Sequence, residues 1–376
     1  MKIAFVRTMP HFSMDVYADG LIAGLKSVNP DWEIVELRPR PFDRTTKSPV
    51  IRAQKAYERF WRFPQEVQQQ TADIFHIVDH SDAHIVRWLK KAGKPVVVTC
   101  HDLINLLYPE NLQGSVRLPF VSDRLGRYSI EGMEQADAIV AVSSETAKNI
   151  NKVLNIDPIR ITVIPNAVDS LFHPLPEEQA QAFRYELNVS PDTFCLLNVG
   201  GNHPRKNLTG ILKALERIKQ QGLSVQFWKV SDDFTDEDKR FIQANDLKDS
   251  IKYLGCLDKN TLVKVYNAAD VLVAPSFHEG FGITLLEAMA CGTPVITSNV
   301  SAMPEVVGGA GILVDPKDSQ AIADTVYYLH QNPIYYQELR EKGLERIQSF
   351  TWEKVAEKIS GVYQTGLLHY LRELRK

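Results

Sequence analysis

The chain reads as an α/β protein built from two Rossmann-like domains in series, and three observations carry that reading. Apolar runs of strand length recur between helical stretches in the first half, the same plan repeats in the second, and a proline-punctuated segment separates them. Alternating strands and helices imply parallel sheets, because parallel neighbours need a crossover connection. The first-half runs fall at 3–6, 34–37, 74–78, 96–100, 138–142 and 161–164. Those of the second half fall at 194–199, 225–230, 251–254, 271–274, 295–297 and 311–314. Between the halves, Phe172-His173-Pro174-Leu175-Pro176-Glu177-Glu178 carries two prolines in a polar turn, which predicts the linker there. Domains at 1–172 and 173–350 follow, with a hinged cleft between them. The tail, 351–376, has a helical pattern.

Length and composition agree. A chain of 376 residues, 44% hydrophobic and 24% charged, has material for two sizeable cores. A formal net charge of -3 argues against a general nucleic-acid binder. Cys100, Cys195, Cys256 and Cys291 are far apart with no C-x-x-C pair, so a reducing cytoplasm is expected, with neither zinc site nor disulfide framework. Met1 to Arg7 runs straight into a strand, and no apolar run approaches the roughly 20 residues that span a bilayer.

The richest segment for chemistry is Glu279-Gly280-Phe281-Gly282-Ile283-Thr284-Leu285-Leu286-Glu287. It follows a buried strand and enters an apolar helix closed by Gly292, so it sits on a strand-to-helix turn. There a helix N-terminus turns its unpaired amides and positive dipole end toward a ligand, a setting that suits phosphate. Gly280 and Gly282 allow close backbone approach, while Glu279 and Glu287 can accept hydrogen bonds from sugar and ribose hydroxyls. Two glutamates are ordinarily solvated surface, but Glu287 is flanked by Leu285, Leu286, Ala288 and Met289. A glycosidase carboxylate pair needs no phosphate-binding helix and so explains less of the segment.

A second cluster is Asn198-Val199-Gly200-Gly201-Asn202-His203-Pro204-Arg205-Lys206-Asn207, where a strand ends in glycines and presents two cations before a helix. An Arg fork plus a Lys point charge suits a diphosphate whose charge grows as it leaves. In the first half, His101 stands at the end of the strand run 96–100. Strand ends of this kind face the ligand crevice in α/β folds. G-x-G-x-x-G is absent, since Gly280-Phe281-Gly282 offers only its first half, so a dehydrogenase is not expected.

On these residues the chain resembles the retaining GT-B glycosyltransferases of glycosyltransferase family 4, whose signature is E-x7-E. The resemblance implies the GT-B fold, two Rossmann-like domains facing across a cleft with the C-terminal helix crossing back to the first. It also implies transfer of a hexose from a nucleoside diphosphate sugar, UDP- or GDP-linked, to an acceptor hydroxyl with retention, in polysaccharide, glycolipid or glycoconjugate synthesis. By the same resemblance Glu287 holds the ribose, Arg205 and Lys206 the diphosphate, Glu279 the donor sugar, and His101 the sugar or its leaving phosphate. Gly200, Gly201, Gly280, Phe281, Gly282, Ile283 and Thr284 complete the donor cradle. Ile164-Pro165-Asn166-Ala167-Val168-Asp169 is similar to the family's P-N-G-V-D turn, with Ala167 in place of glycine.

Two departures stand out. The family's first strand-to-helix turn carries glycines, whereas here it reads Thr8-Met9-Pro10-His11-Phe12-Ser13-Met14-Asp15. The extra Arg usual after the second-domain glycine is replaced by Gly201 and Asn202. The second leaves the diphosphate role to Arg205 and Lys206; the first leaves open a catalytically silent nucleotide-sugar-binding protein, and a nucleotide-sugar epimerase is a further reading on the same architecture. The stretch Arg38, Arg40, Arg44, Lys47, Arg52, Lys55, Arg59 and Arg62, interleaved with Tyr57, Phe60, Trp61 and Phe63, reads either as an ordinary amphipathic helix or as a peripheral contact with anionic lipid at the inner membrane face. The acidic run Asp232 to Asp238 contains a D-x-D but reads as helix-start charge, so metal-independent transfer without a bound cofactor is expected.

Overall fold

The computed structural model describes residues 1–7, 13–41, 48–107 and 120–373. Each of the strand runs expected from the sequence is a strand. Among the described residues the chain forms two compact units, one of residues up to 107 with 120–166 and 352–373, the other of residues 167–351. The Pro174–Pro176 stretch lies inside the second unit, where Leu175 N–H donates to Asn267 Oδ1 at 2.7 Å and Asn267 Nδ2 donates to the His173 carbonyl.

The first unit holds β1 (Lys2–Val6), β2 (Glu33–Leu37), β3 (Ile74–Ile77), β4 (Val96–Cys100), β5 (Ala138–Ala141) and β6 (Ile161–Val163), paired in parallel in the order β2-β1-β3-β4-β5-β6. The second holds β7 (Phe194–Gly200), β8 (Val225–Ser231), β9 (Ile251–Gly255), β10 (Val271–Ala274), β11 (Val295–Ser298) and β12 (Ile312–Val314), parallel in the order β12-β11-β10-β7-β8-β9. Strand order therefore reverses between β1 and β3 in one sheet and between β7 and β10 in the other. In doubly wound sheets the ligand crevice opens outside the carboxyl ends of the strands at such a reversal. The central strands β3 and β4 are buried at every residue, as parallel strands covered on both faces must be.

The C-terminal helix Trp352–Glu373 belongs to the first unit and packs on the helix Ser13–Val28. The approach is close enough to require glycine. A Cβ on Gly20 would lie 2.0 Å from Trp352 Cε2, and one on Gly24 would lie 2.4 Å from the Trp352 carbonyl oxygen. Tyr363 on the same helix reaches the sheet, its hydroxyl 2.6 Å from Nδ1 of the buried His76 on β3. Burial pushes the His76 imidazole down to about 3, so it stays neutral and serves as a packed polar node.

The basic stretch is more committed than its sequence implied. Arg38 pairs with Asp15 and Glu36, Arg59 with Asp82 at 2.8 Å, and Arg62 with Glu58 and Glu66. Arg44 and Lys47 lie outside the described residues. The helix Pro49–Tyr57 has no buried residue, and Val50, Tyr57 and Trp61 are all more than half exposed.

Candidate active site

The second unit builds a charged site at its strand-order reversal. β7 ends at Gly200, the short turn Pro204–Lys206 follows, and the helix Leu208–Gln220 begins. Asn207 joins turn to helix in the left-handed region, φ +58°, a conformation that asparagine tolerates better than most residues. Its side chain accepts from Gly210 N–H and donates to the Pro275 and Pro316 carbonyls at 2.9 and 2.6 Å. One buried residue thus staples the loop after β7 to those after β10 and β12, which brings Arg205 and Lys206 beside Glu279.

There the three charges meet. Arg205 Nη1 lies 2.5 Å from Glu279 Oε2, and Lys206 Nζ lies 2.6 Å from Oε1. Ser276 Oγ donates to Oε1 at 2.9 Å, and Arg205 Nη1 also donates to the His278 carbonyl. Burial works against ionisation of Glu279, but Lys206 and Arg205 outweigh it and hold the carboxyl below its ordinary range. Ser301 Oγ accepts from the Glu279 amide and lies 2.8 Å from its carbonyl, which fixes the loop.

The helix Ile283–Ala290 starts at Gly282, whose φ of +97° is the left-handed conformation glycine adopts without strain. No side chain caps that helix. Lys206, Ser276, Glu279, Gly282 and Thr284 line one small crevice. Ile283 and Thr284 are half-buried, Gly200, Gly201 and Gly280 are half-buried in the flanking turns, and Phe281 is buried against Phe350. Glu287, one turn further on, stands apart from the ion cluster. Tyr266 Oη donates to its Oε2 at 2.7 Å, and burial raises its carboxyl above the ordinary range.

His101 lies in the first unit, just after β4, and is buried. Its Nε2–H donates to the Val78 carbonyl at 2.9 Å, which settles the tautomer because a carbonyl can only accept. Burial lowers its pKa, so the ring is neutral and Nδ1 acts as an acceptor. An acceptor suits a sugar hydroxyl and not a phosphate oxygen.

Thr8 to Phe12 of the glycine-free turn lie outside the described residues. At its near edge Arg7, 1% exposed, pairs with Asp15, Asp19 and Glu36. Burial opposes its charge, yet the carboxylates win and its pKa rises. The acidic run begins a helix as expected, with Thr235 and Asp238 forming a capping box. Asn207, Ser276, Tyr266 and Lys229 did not emerge from sequence reasoning. Of these only Lys229 left a signal, a lone charge in an apolar strand run.

Residues 179–346 match the family described as glycosyl transferases group 1, and residues 27–170 match glycosyltransferase family 4. The serotype-specific mannosyltransferase WbdA of Escherichia coli is 29% identical over 298 residues, 76% of this chain and 36% of that protein. The chain therefore spans about a third of WbdA. The O-antigen chain mannosyltransferase B of Escherichia coli is 29% identical over 273 residues, 71% of this chain and 70% of that one. Among solved structures, Anabaena Alr3699/HepE in complex with UDP-glucose superposes with a TM-score of 0.77 at 18% identity, over 97% of this chain and 100% of that one, a likeness of fold. With both halves matched and the two six-stranded parallel sheets in place, the chain belongs to the GT-B glycosyltransferases of the group 1 and family 4 type.

Proposed function

We propose that this protein moves a hexose from a UDP- or GDP-linked donor to a hydroxyl of a sugar or lipid-linked acceptor, with retention at the anomeric carbon, in glycoconjugate synthesis. The observation that carries the reading is the Arg205–Lys206–Glu279 cluster at the strand-order reversal of the second unit. Two adjacent cations beside an uncapped helix N-terminus favour a diphosphate. Glu287 then holds the ribose diol and Glu279 the donor sugar hydroxyls, while His101 of the first unit accepts from a sugar hydroxyl. The mannosyltransferase relatives and the UDP-glucose held by HepE support a nucleotide-sugar donor.

In this reading, negative charge grows on the diphosphate as the anomeric C–O bond breaks, and Arg205 and Lys206 stabilise it where it forms. The leaving phosphate takes the proton of the attacking acceptor hydroxyl. The acceptor then attacks on the face that the phosphate leaves, which retains configuration without a covalent enzyme intermediate.

The test is nucleoside diphosphate release from UDP- and GDP-hexoses with sugar and lipid-linked acceptors. One donor base is expected to be turned over, Glu287→Ala is expected to raise donor KM more than it lowers kcat, and excess chelator is expected to leave the rate unchanged. Isomerised donor without acceptor would identify an epimerase, and donor bound but never cleaved would identify a silent binding protein.

The exposed Val50, Tyr57 and Trp61, beside the exposed Arg52, support docking on anionic lipid at the cytoplasmic face of a membrane. Among the described residues no helix is long and apolar enough to cross a membrane. Vesicles rich in anionic lipid are expected to retain the protein, and the Arg52→Ser, Tyr57→Ser, Trp61→Ser variant is expected to stay in solution. Equal retention of both would refute the docking.

A further inference from the structure

Lys229 is the least expected charge of the second unit. It stands on β8 among buried apolar neighbours and is itself wholly buried. Its Nζ donates to the carbonyls of Gly200 and Val230, the latter at 2.9 Å. Gly200 ends β7 and is the residue from which the chain turns toward Arg205. Lys206 also packs against Gly200, since a Cβ there would lie 3.5 Å from Lys206 Cε. The turn that leads to the two cations of the site is therefore held from beneath by a third.

We propose that Lys229 is a positioning residue for diphosphate recognition, its buried ammonium holding the Gly200 turn and adding positive charge behind Lys206, and that diphosphate binding draws a proton onto it. The inference rests on the nucleotide-sugar reading above.

Its physical basis is the balance of charges around the amine. Burial lowers the Lys229 pKa to about 8, and the charge of Lys206 pushes the same way. Asp232 on the loop after β8, Asp238 on the helix Asp236–Ala244 and Cys256 after β9 oppose it. No carboxylate is hydrogen-bonded to Nζ among the contacts described, so the ammonium is held by backbone carbonyls and by longer-range attraction. A diphosphate bound at Arg205 and Lys206 adds negative charge on the same side and favours the protonated form. Linkage makes the effect reciprocal: the protonated amine strengthens diphosphate binding by the same factor. Lysine suits the role because its pKa moves readily on burial, whereas arginine stays charged throughout.

The experiment is calorimetric titration of UDP and GDP into the full chain in two buffers of different ionisation heat. Near pH 8, where about half of the Lys229 side chains are neutral and the terminal phosphate of the nucleotide is ionised, uptake of about half a proton per bound nucleotide is expected, and the part of the exchange that depends on Lys229 vanishes about two pH units lower. Lys229→Met is expected to abolish the uptake and to weaken binding by about fivefold to tenfold. Asp232→Asn keeps Lys229 but removes its main acidic neighbour, and is expected to move the uptake to lower pH without depending on how well Lys229→Met folds. Uptake unchanged in both variants overturns the role of Lys229 while nucleotide binding stands. Nucleotides that fail to bind the parent chain overturn both this inference and the proposed function.

Discussion

Lys206→Ala is expected to lower the turnover of donor by about 100- to 1,000-fold, the cost typical of removing one donor that stabilises charge in the transition state. The expectation follows from where the ammonium sits. Lys206 Nζ reaches the crevice lined by Gly282 and Thr284 and already meets a carboxylate oxygen at 2.6 Å, so it is ordered and needs little reorganisation to take a phosphate oxygen instead. Because the charge it stabilises grows as the glycosidic bond breaks, the loss is expected mainly in kcat, with a smaller change in donor KM. Arg205→Ala is expected to behave similarly, with added looseness in the loop after β10, since its guanidinium also holds the His278 carbonyl. Steady-state kinetics with the donor found in the release assay measure both. A Lys206→Ala protein that turns over donor at the parent rate would remove the diphosphate role from this residue.

Glu279→Gln is expected to act in two opposite directions. Transfer falls by about 100-fold, because the neutral amide is a weaker acceptor for the donor sugar hydroxyls. Binding of the free nucleoside diphosphate tightens by about tenfold, equal to about 1.4 kcal/mol. Both oxygens of Glu279 are engaged by Arg205 and Lys206 in the structure, so an incoming diphosphate must compete with an internal carboxylate for the same two cations. Removing the charge removes the competitor. It also leaves two partly buried cations facing each other without a counter-ion, so the variant is expected to melt earlier than the parent and to recover when a nucleoside diphosphate is added. Calorimetry and thermal unfolding with UDP and GDP read these effects separately from turnover. Weaker binding of the free nucleoside diphosphate by Glu279→Gln would show that the carboxylate assists that ligand and does not compete with it.

The strands were legible because parallel strands covered on both faces must be mostly apolar, and the runs at 74–78 and 96–100, interrupted only by the buried His76 and Thr99, show that. The turn at Glu279 was legible for a related reason. A glycine able to adopt φ +97° and an apolar helix directly behind it leave a recognisable local pattern. Lys229 was harder to read, since a single lysine in a strand run is ordinarily exposed and only burial gives it meaning. The basic stretch from Arg38 to Arg62 misled in part, because the partners of Arg38 and Arg59, Asp15 and Asp82, come from outside it.

By itself, then, the sequence determined the elements: the strands found among the described residues, the glycine-hinged turn, the Arg205–Lys206 pair and the helical tail, each readable from residues close along the chain. Tertiary structure alone decided the meetings. Arg205 and Glu279 are 74 positions apart, yet the reversal of strand order between β7 and β10 and the staple made by Asn207 place them in contact. Trp352 meets Gly20 and Gly24 because two helices of one unit approach until only hydrogen fits, at Gly20 against the indole ring and at Gly24 against the Trp352 carbonyl. Propensity and periodicity act over a few residues, whereas these contacts depend on which strands pair and which loops that pairing brings together.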